Sequence, residues 1–257
     1  MLAELALYIA TPVPRAVRRH GLLRESVGLW SRGLRHRKAW SGHEHRCKAV
    51  IEQSLVGLTR FRTVVVLGSG LLRDVPMDLL RRRFDKVLLV DAVHLWPVRL
   101  RWWAEPKVRF LTCDLTGVLP QLEAGREPRR SGALASLHAD DSIDLVISAN
   151  LLSQLPLPVE RALDAGLISD AGLPRAVVEA HLVDLSGFPA RICLLTDESY
   201  SEINAAGVKV ERVDLLHGVS LPDDGERWDW PVSPMGEEDA AAAFIHHVRG
   251  YADWKPA

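Results

Sequence analysis

Thr63-Val64-Val65-Val66-Leu67-Gly68-Ser69-Gly70-Leu71-Leu72 decides how the chain folds. A run of β-branched and aliphatic residues with no polar alternation predicts a strand buried on both faces, as in a parallel sheet. The run ends in Gly-Ser-Gly, which lets the backbone turn sharply and approach a ligand closely. Behind it, Val75, Leu79, Leu80 and Phe84 fall at helical spacing over Asp74 to Phe84, with Pro76 in the first turn. Strand, glycine turn and helix predict the nucleotide-binding start of a Rossmann-like, doubly wound, mostly parallel α/β sheet. Standing alone, Gly-x-Gly also marks a tight turn that holds no ligand.

Outward from that start, Lys86 to Asp91 predicts a second strand ending in a carboxylate. Asp91 lies near the ~20-residue spacing at which an acidic residue accepts hydrogen bonds from both ribose hydroxyls. Val108 to Gly117 predicts the third strand and its exit, with Asp114 at the end. Ser142 to Asn150 predicts the fourth, running into Leu151-Leu152-Ser153-Gln154-Leu155-Pro156. Ala190 to Thr196 predicts the fifth, followed by a strand-end loop, Asp197-Glu198-Ser199-Tyr200. Val208 to Leu215 and Ala243 to Val248 supply two more. Helices are expected over Val93 to Trp103, whose tryptophans pack, and over Leu173 to Leu185. Glu123 to Ser142 reads as a loop or an irregular helix. Trp228-Asp229-Trp230-Pro231 and Pro234-Met235-Gly236-Glu237-Glu238 read as an aromatic and acidic loop. It either lines an acceptor pocket for a cationic or aromatic group or caps the core.

Residues 1–60 read as a helical, basic extension ahead of a domain at 61–257. Leu2, Leu5, Ala6 and Ile9 share a helical face that Pro12 and Pro14 end. From Arg15 to Lys48 the chain carries Arg and Lys at ten positions against Glu25 and Glu44 alone. That pattern suits a solvated helix face, a basic lid over an acidic substrate, or contact with an anionic surface, where Trp30 and Trp40 would sit at the interface. Ser41 to Leu58 predicts a further helix with Val50, Ile51, Leu55 and Leu58 inward. His43 and Cys47 share a face there, but no second pair has ligand spacing, so no metal is expected.

Composition narrows the class. At 257 residues, 47% hydrophobic and 25% charged, the chain suits one large soluble domain with an extension. A net charge of −1 excludes a global field directed at nucleic acid. Three scattered cysteines supply no disulfide framework and fit a reducing compartment. No stretch is long enough for an integral membrane segment, and Met1 to Val13 makes a poor secretory signal because it carries Glu4 and no basic start. A cytoplasmic location is expected.

Gly68-Ser69-Gly70, Asp91, Asp114 and Asn150-Leu151-Leu152-Ser153-Gln154-Leu155, in that order, resemble the successive motifs of class I S-adenosylmethionine-dependent methyltransferases over about residues 61–200. The resemblance implies a transferase with S-adenosylmethionine as cofactor and a small molecule or peptide as methyl acceptor. It implies that Gly68, Ser69 and Gly70 admit the methionine part, that Asp91 with Ala92 holds the ribose, that Asp114 with Leu115 meets the adenine edge, and that Asn150 lies near the reacting centre. Gln154, Glu198 and Tyr200 are the catalytic candidates, with Asp197, His181 and His217 beside them. The pattern departs from the family at Val66, where an acidic residue is usual, and at Leu71-Leu72, where a third glycine is usual. His45 or Arg46 of the extension is a candidate to compensate. Two other readings fit the same residues: a nicotinamide-dependent oxidoreductase and a non-catalytic binding module on the same fold.

Overall fold

The structure, a computed structural model, describes residues 2–126, 134–237, 239 and 241–256. Part of the expected loop, 127–133, and Glu238 lie outside the described residues.

Every residue of β1 (Thr63–Leu67) is buried, as its uninterrupted aliphatic run demands. It pairs in parallel with β2 (Lys86–Asp91) and β4 (Ile143–Ala149). β3 (Val108–Thr112) extends the parallel sheet beyond β2, and β5 (Arg191–Asn204) beyond β4. The sheet then turns antiparallel. β8 (Ala242–Tyr251) lies on β5, β7 (Glu226–Ser233) on β8, and β6 (Lys209–Asp214) on the far end of β5. The order β3-β2-β1-β4-β5-β8-β7 reverses direction between β1 and β4. In a doubly wound sheet, that switch point opens a crevice at the carboxyl ends of the strands.

Alternate residues of β1 enter two apolar layers. Val65 and Leu67 face a layer that takes Leu7 of α1 (Leu2–Ala10), Val17 of α2 (Arg15–Arg19) and Leu23 and Val27 of α3 (Leu22–Arg35). Also in that layer are α7 (Leu119–Glu123), α9 (Leu157–Asp164) and α10 (Leu173–Ser186). Val64 and Val66 face Cys47, Val50 and Ile51 of α4 (Arg37–Gln53), together with α5 (Met77–Arg83) and α6 (Trp96–Trp102). A short α8 (Ala135–His138) precedes β4. The first helices are therefore part of both layers.

Several elements differ from expectation. α5 begins at Met77 rather than Asp74, because Pro76 disfavours helical backbone at Val75. α6 begins at Trp96, with Pro97 in its first turn, and only Trp102 of its tryptophans packs; Trp103 is 75% exposed. α4 starts at Arg37, ahead of Ser41. Asp197-Glu198-Ser199-Tyr200 is no loop but the middle of the long β5. Trp228 to Pro231 likewise lies in β7, where Pro231 is tolerated because the strand is at the sheet edge. Trp40 is buried at 3%, which removes it from any surface interface. Leu2, Leu5 and Ile9 face outward, and α1 buries Leu7 instead. No helix among the described residues is long and apolar enough to cross a membrane.

Candidate functional site

The glycine turn is held from two sides. Gly68 has φ +68°, and a Cβ there would stand 2.8 Å from the Leu151 Cβ and 3.2 Å from the Ala149 carbonyl oxygen. Its need for glycine is therefore met inside the protein, by the loop after β4. Gly70 has φ +40° and only the Gly68 carbonyl oxygen, at 3.6 Å, near its missing Cβ, so the space there is open. Gly68 N–H donates to the Val90 carbonyl at 3.0 Å. Gly70 N–H donates to Asp91 Oδ2 at 2.7 Å, and Val93 N–H to Asp91 Oδ1 at 2.9 Å. One carboxylate thus ties the turn after β1 to the exit of β2. Burial raises the Asp91 pKa, and the N–H bonds oppose that rise. The Ala92 N–H acts on the carboxylate in the same sense, and the two oxygens together keep spare acceptor capacity. Ala92 is buried beside it.

Cys113 N–H donates to the Asp91 carbonyl at 3.0 Å, which brings the exit of β3 alongside. Asp114 turns onto its own loop. Its Oδ1 accepts from Thr116 N–H and the Thr116 hydroxyl, at 3.0 and 2.5 Å, and its Oδ2 accepts from Leu119 N–H at 2.9 Å, where α7 begins. Leu115 points into the apolar layer.

Asn150 ends β4 in a left-handed conformation, φ +48°, which asparagine tolerates better than most residues. Its Nδ2 donates to Asp74 Oδ2 at 2.6 Å and to Cys47 Sγ at 3.6 Å, while its buried Oδ1 has no partner. The Ser69 hydroxyl is likewise buried and unpartnered. Gln154 braces this turn through Nε2 to the Asn150 carbonyl, at 2.7 Å. The strands are buried along their lengths, yet Gly68, Gly70, Leu71, Asp91, Asp114 and Leu151 at their ends keep accessible surface.

Next to Asn150 lies an aromatic and polar cluster formed by α4, β5, β7 and β8. Trp228 Nε1–H donates to His43 Nδ1 at 3.1 Å. Indole is only a donor, so the proton of neutral His43 sits on Nε2, 3.5 Å from Cys47 Sγ. His43 stacks on Trp230 at 3.9 Å and 9°. Ligand-type atoms of His43, Cys47 and Asp74 lie within 4.8 Å of one another. Burial lowers the His43 pKa and raises that of the Cys47 thiol, so both are neutral here and a metal would have to displace the thiol proton. Asp197 Oδ2 meets His246 Nδ1 at 2.8 Å.

Other candidates stand elsewhere. Glu198 pairs with Arg249 at 3.0 Å. His181 is sealed in the core against Ser148, at 3.0 Å, and burial takes its pKa down to about 4. His217 pairs with Glu160 at 2.8 Å. His45 and Arg46 face outward, Arg46 to Glu226, so neither compensates at the glycine turn. The sequence reading did not single out Asp74 or His246, and it placed Trp228 and Trp230 in a loop that lines an acceptor pocket or caps the core, where the structure has strand β7. Only Asp74, four residues past Gly70, carried a local signal.

Neither a family model nor a curated protein matches the chain. Solved structures do resemble it. The Burkholderia thailandensis 1,6-didemethyltoxoflavin-N1-methyltransferase, with 1,6-didemethyltoxoflavin and S-adenosylhomocysteine bound, is 18% identical with a TM-score of 0.41, over 93% of this chain and 92% of its own. The N-methyltransferase NodS from Bradyrhizobium japonicum, with S-adenosylhomocysteine, is 11% identical with a TM-score of 0.35, over 80% and 85%. A SAM-dependent methyltransferase from Leishmania major is 13% identical with a TM-score of 0.35, over 79% and 73%. Likenesses this distant assign no role to any residue here.

Proposed function

We propose that the protein is an S-adenosylmethionine-dependent methyltransferase acting on a small-molecule acceptor. The observation that carries this reading is the length of chain between the glycine turn and the next helix, which starts at Met77, seven residues after Gly70. A dinucleotide site needs a helix N-terminus at the turn to receive the pyrophosphate, and this turn has none. Asp91 holds the turn instead, with Asp74 on the neighbouring Asn150 and Asp114 at the exit of the next strand. A nucleoside without phosphates, bearing a cation, suits such surroundings.

The residues fit that ligand. Open space at Gly70 and the unpartnered Ser69 hydroxyl and Asn150 Oδ1 are where polar groups of its amino-acid end would be received. The spare acceptor sites of Asp91 suit ribose hydroxyls, with Ala92 beside them. Asp114 would act through its loop backbone and Leu115 at the adenine edge, since its carboxylate is engaged with Thr116 and Leu119. When bound, the cofactor supplies an already activated methyl group. The chain then has to orient the acceptor, exclude water and take up a proton where the acceptor carries one. We read 61–257 as the catalytic domain, with 1–60 packed onto it, in a protein of the cytoplasm. Arg32, Arg37 and Lys38 would serve a contact of the basic segment with an anionic surface.

Calorimetric titration tests the reading. S-adenosylhomocysteine is expected to bind in the micromolar range and NAD not at all. Binding of NAD alone would replace this function with the oxidoreductase, and binding of neither would favour the non-catalytic module.

A further inference from the structure

We propose that His246, held by Asp197, is the proton-accepting catalytic residue of an acceptor site for an amine carried on an aromatic frame, walled by Tyr200, Trp230 and Phe244. The reaction it serves rests on the methyl-transfer reading; the site itself rests on the antiparallel end of the sheet.

The geometry starts from a β-bulge. Asp197 is opposite Val248, Ser199 opposite His247 and Tyr200 opposite His246, so Glu198 is the extra residue. Val248 and His246 are two apart and share a face, and the bulge therefore brings Asp197 and Tyr200, three apart, onto that face together. Without it they would point to opposite sides. Asp197 is only 4% exposed, and its Oδ2 lies 2.8 Å from His246 Nδ1. A carboxylate only accepts, so the imidazole proton sits on Nδ1 and the lone pair on Nε2. Among the described residues, Nε2 has no protein partner, and the His246 side chain is 21% exposed. The histidine is oriented on one side and open on the other, as a general base must be.

The walls are aromatic. Tyr200 stacks on His246 with centroids 5.6 Å apart, Trp230 meets it edge-on at 5.8 Å, and Phe244 packs on Tyr200 at 5.8 Å. All four residues are half-buried and keep some accessible surface. The charged and titratable groups facing His246 are Asp197 and Tyr200 from β5 and His43 from α4, with Asp74 behind His43. His43 is neutral, and among the described residues the charged group in contact with His246 is the Asp197 carboxylate. Asp197 Oδ1 is buried without a partner, as is Asn150 Oδ1. Both are acceptors, and an ammonium group brings three donors and a positive charge that aromatic faces also attract. The pair is also close to the proposed reacting centre, because Asn150 N–H donates to the carbonyl of Leu195, two residues before Asp197. In the step assigned to His246, an N–H bond of the acceptor ammonium breaks. Its electron pair stays on nitrogen as the nucleophilic lone pair, the proton moves to His246 Nε2, and water later removes it.

Nitrogen-15 NMR of the full chain labelled at histidine tests the site without turnover. Free His246 is expected as the Nδ1–H tautomer. Tryptamine should shift its Nε2 signal and bind at least tenfold more tightly than tryptophol, which replaces the amine with a hydroxyl. Asp197→Asn should remove most of that preference, and His246→Gln should abolish it while S-adenosylhomocysteine binding persists. An Nε2–H tautomer in the free protein, or equal or absent binding of the two probes, overturns the proposal. S-adenosylhomocysteine titrated into the same samples separates the two readings. Its binding without amine preference removes this inference alone, whereas selective amine binding without it keeps the site and overturns methyl transfer.

Discussion

Gly70 and Asp91 are joined by a 2.7 Å hydrogen bond from backbone to carboxylate, and through it the first strand's turn is fixed to the second strand's exit. The same carboxylate holds Val93 N–H at 2.9 Å. It is a structural clamp before any ligand arrives, and a ligand would share it.

Asp91→Ala leaves both N–H groups without their partner. Each orphaned donor costs about 1–3 kcal/mol when buried, so the variant is expected to lose roughly 2–6 kcal/mol. Asp91→Asn keeps one acceptor and should fall between. Urea unfolding midpoints check this, and a wild-type midpoint in Asp91→Ala would show that the clamp is not made in solution.

The two glycines of the turn should respond differently to substitution. Gly70→Ala meets open space and bears only the left-handed backbone cost of about 1–2 kcal/mol. Gly68→Ala bears that cost and also drives a Cβ into Leu151, adding about 1–3 kcal/mol of overpacking. Pairing it with Leu151→Gly, which removes the Cβ it meets, should recover part of the steric share but none of the backbone share. Thermal or urea unfolding of the three variants reads the difference, and equal losses at Gly68 and Gly70 would contradict the packing described.

His181 makes part of the stability depend on pH. Burial takes its pKa from the ordinary 6.5 down to about 4. Between those values the unfolded chain binds the proton and the folded chain does not, so stability rises with pH through the window. The contribution is complete above pH 6.5 and is lost progressively as pH falls toward 4, by about 3 kcal/mol. His181→Leu should show a shallower loss between pH 7 and 4.5, although it begins lower because the Ser148 hydroxyl loses its partner. The same slope in both proteins would show that His181 is already charged in the folded state.

Removing residues 1–62 should prevent folding rather than merely weaken ligand binding. Trp40, Cys47, Val50, Ile51 and Leu55 belong to the core that covers β1, β4 and β7. Trp40 Nε1–H also donates to the Val232 carbonyl at 2.9 Å. Trp40→Phe, which keeps the ring but loses this bond, is expected to cost about 1 kcal/mol. Circular dichroism of the shortened chain is the check, and a cooperative unfolding transition there would refute the prediction.

β1, β2 and β4 of the parallel half were legible because they are buried on both faces and so are largely aliphatic. The antiparallel half was not. In β5, Asp197, Glu198 and Ser199 look like a loop because they are polar, but Asp197 and Ser199 are buried and pair with β8 around the bulge at Glu198. Pro231 looked like a break because nothing local says that β7 is an edge strand. The positions of Gly68, Asp91 and Asp114 at neighbouring strand ends followed from the strands themselves. What each side chain holds did not, since Leu151 at Gly68, Thr116 at Asp114 and Trp228 at His43 are contacts that hydrophobic period cannot encode.

The bond from Trp228 to His43 spans 185 residues of chain. During synthesis the segment that becomes α4 leaves the ribosome long before the hairpin that must receive it exists. The part of its face that meets β7 and β8, His43 with Trp40, stays uncovered or rests on makeshift partners until those strands have emerged. Completion of this fold therefore waits for β7 and β8 to be made, and contacts of such long reach belong with slow folding and a need for protection in the interval.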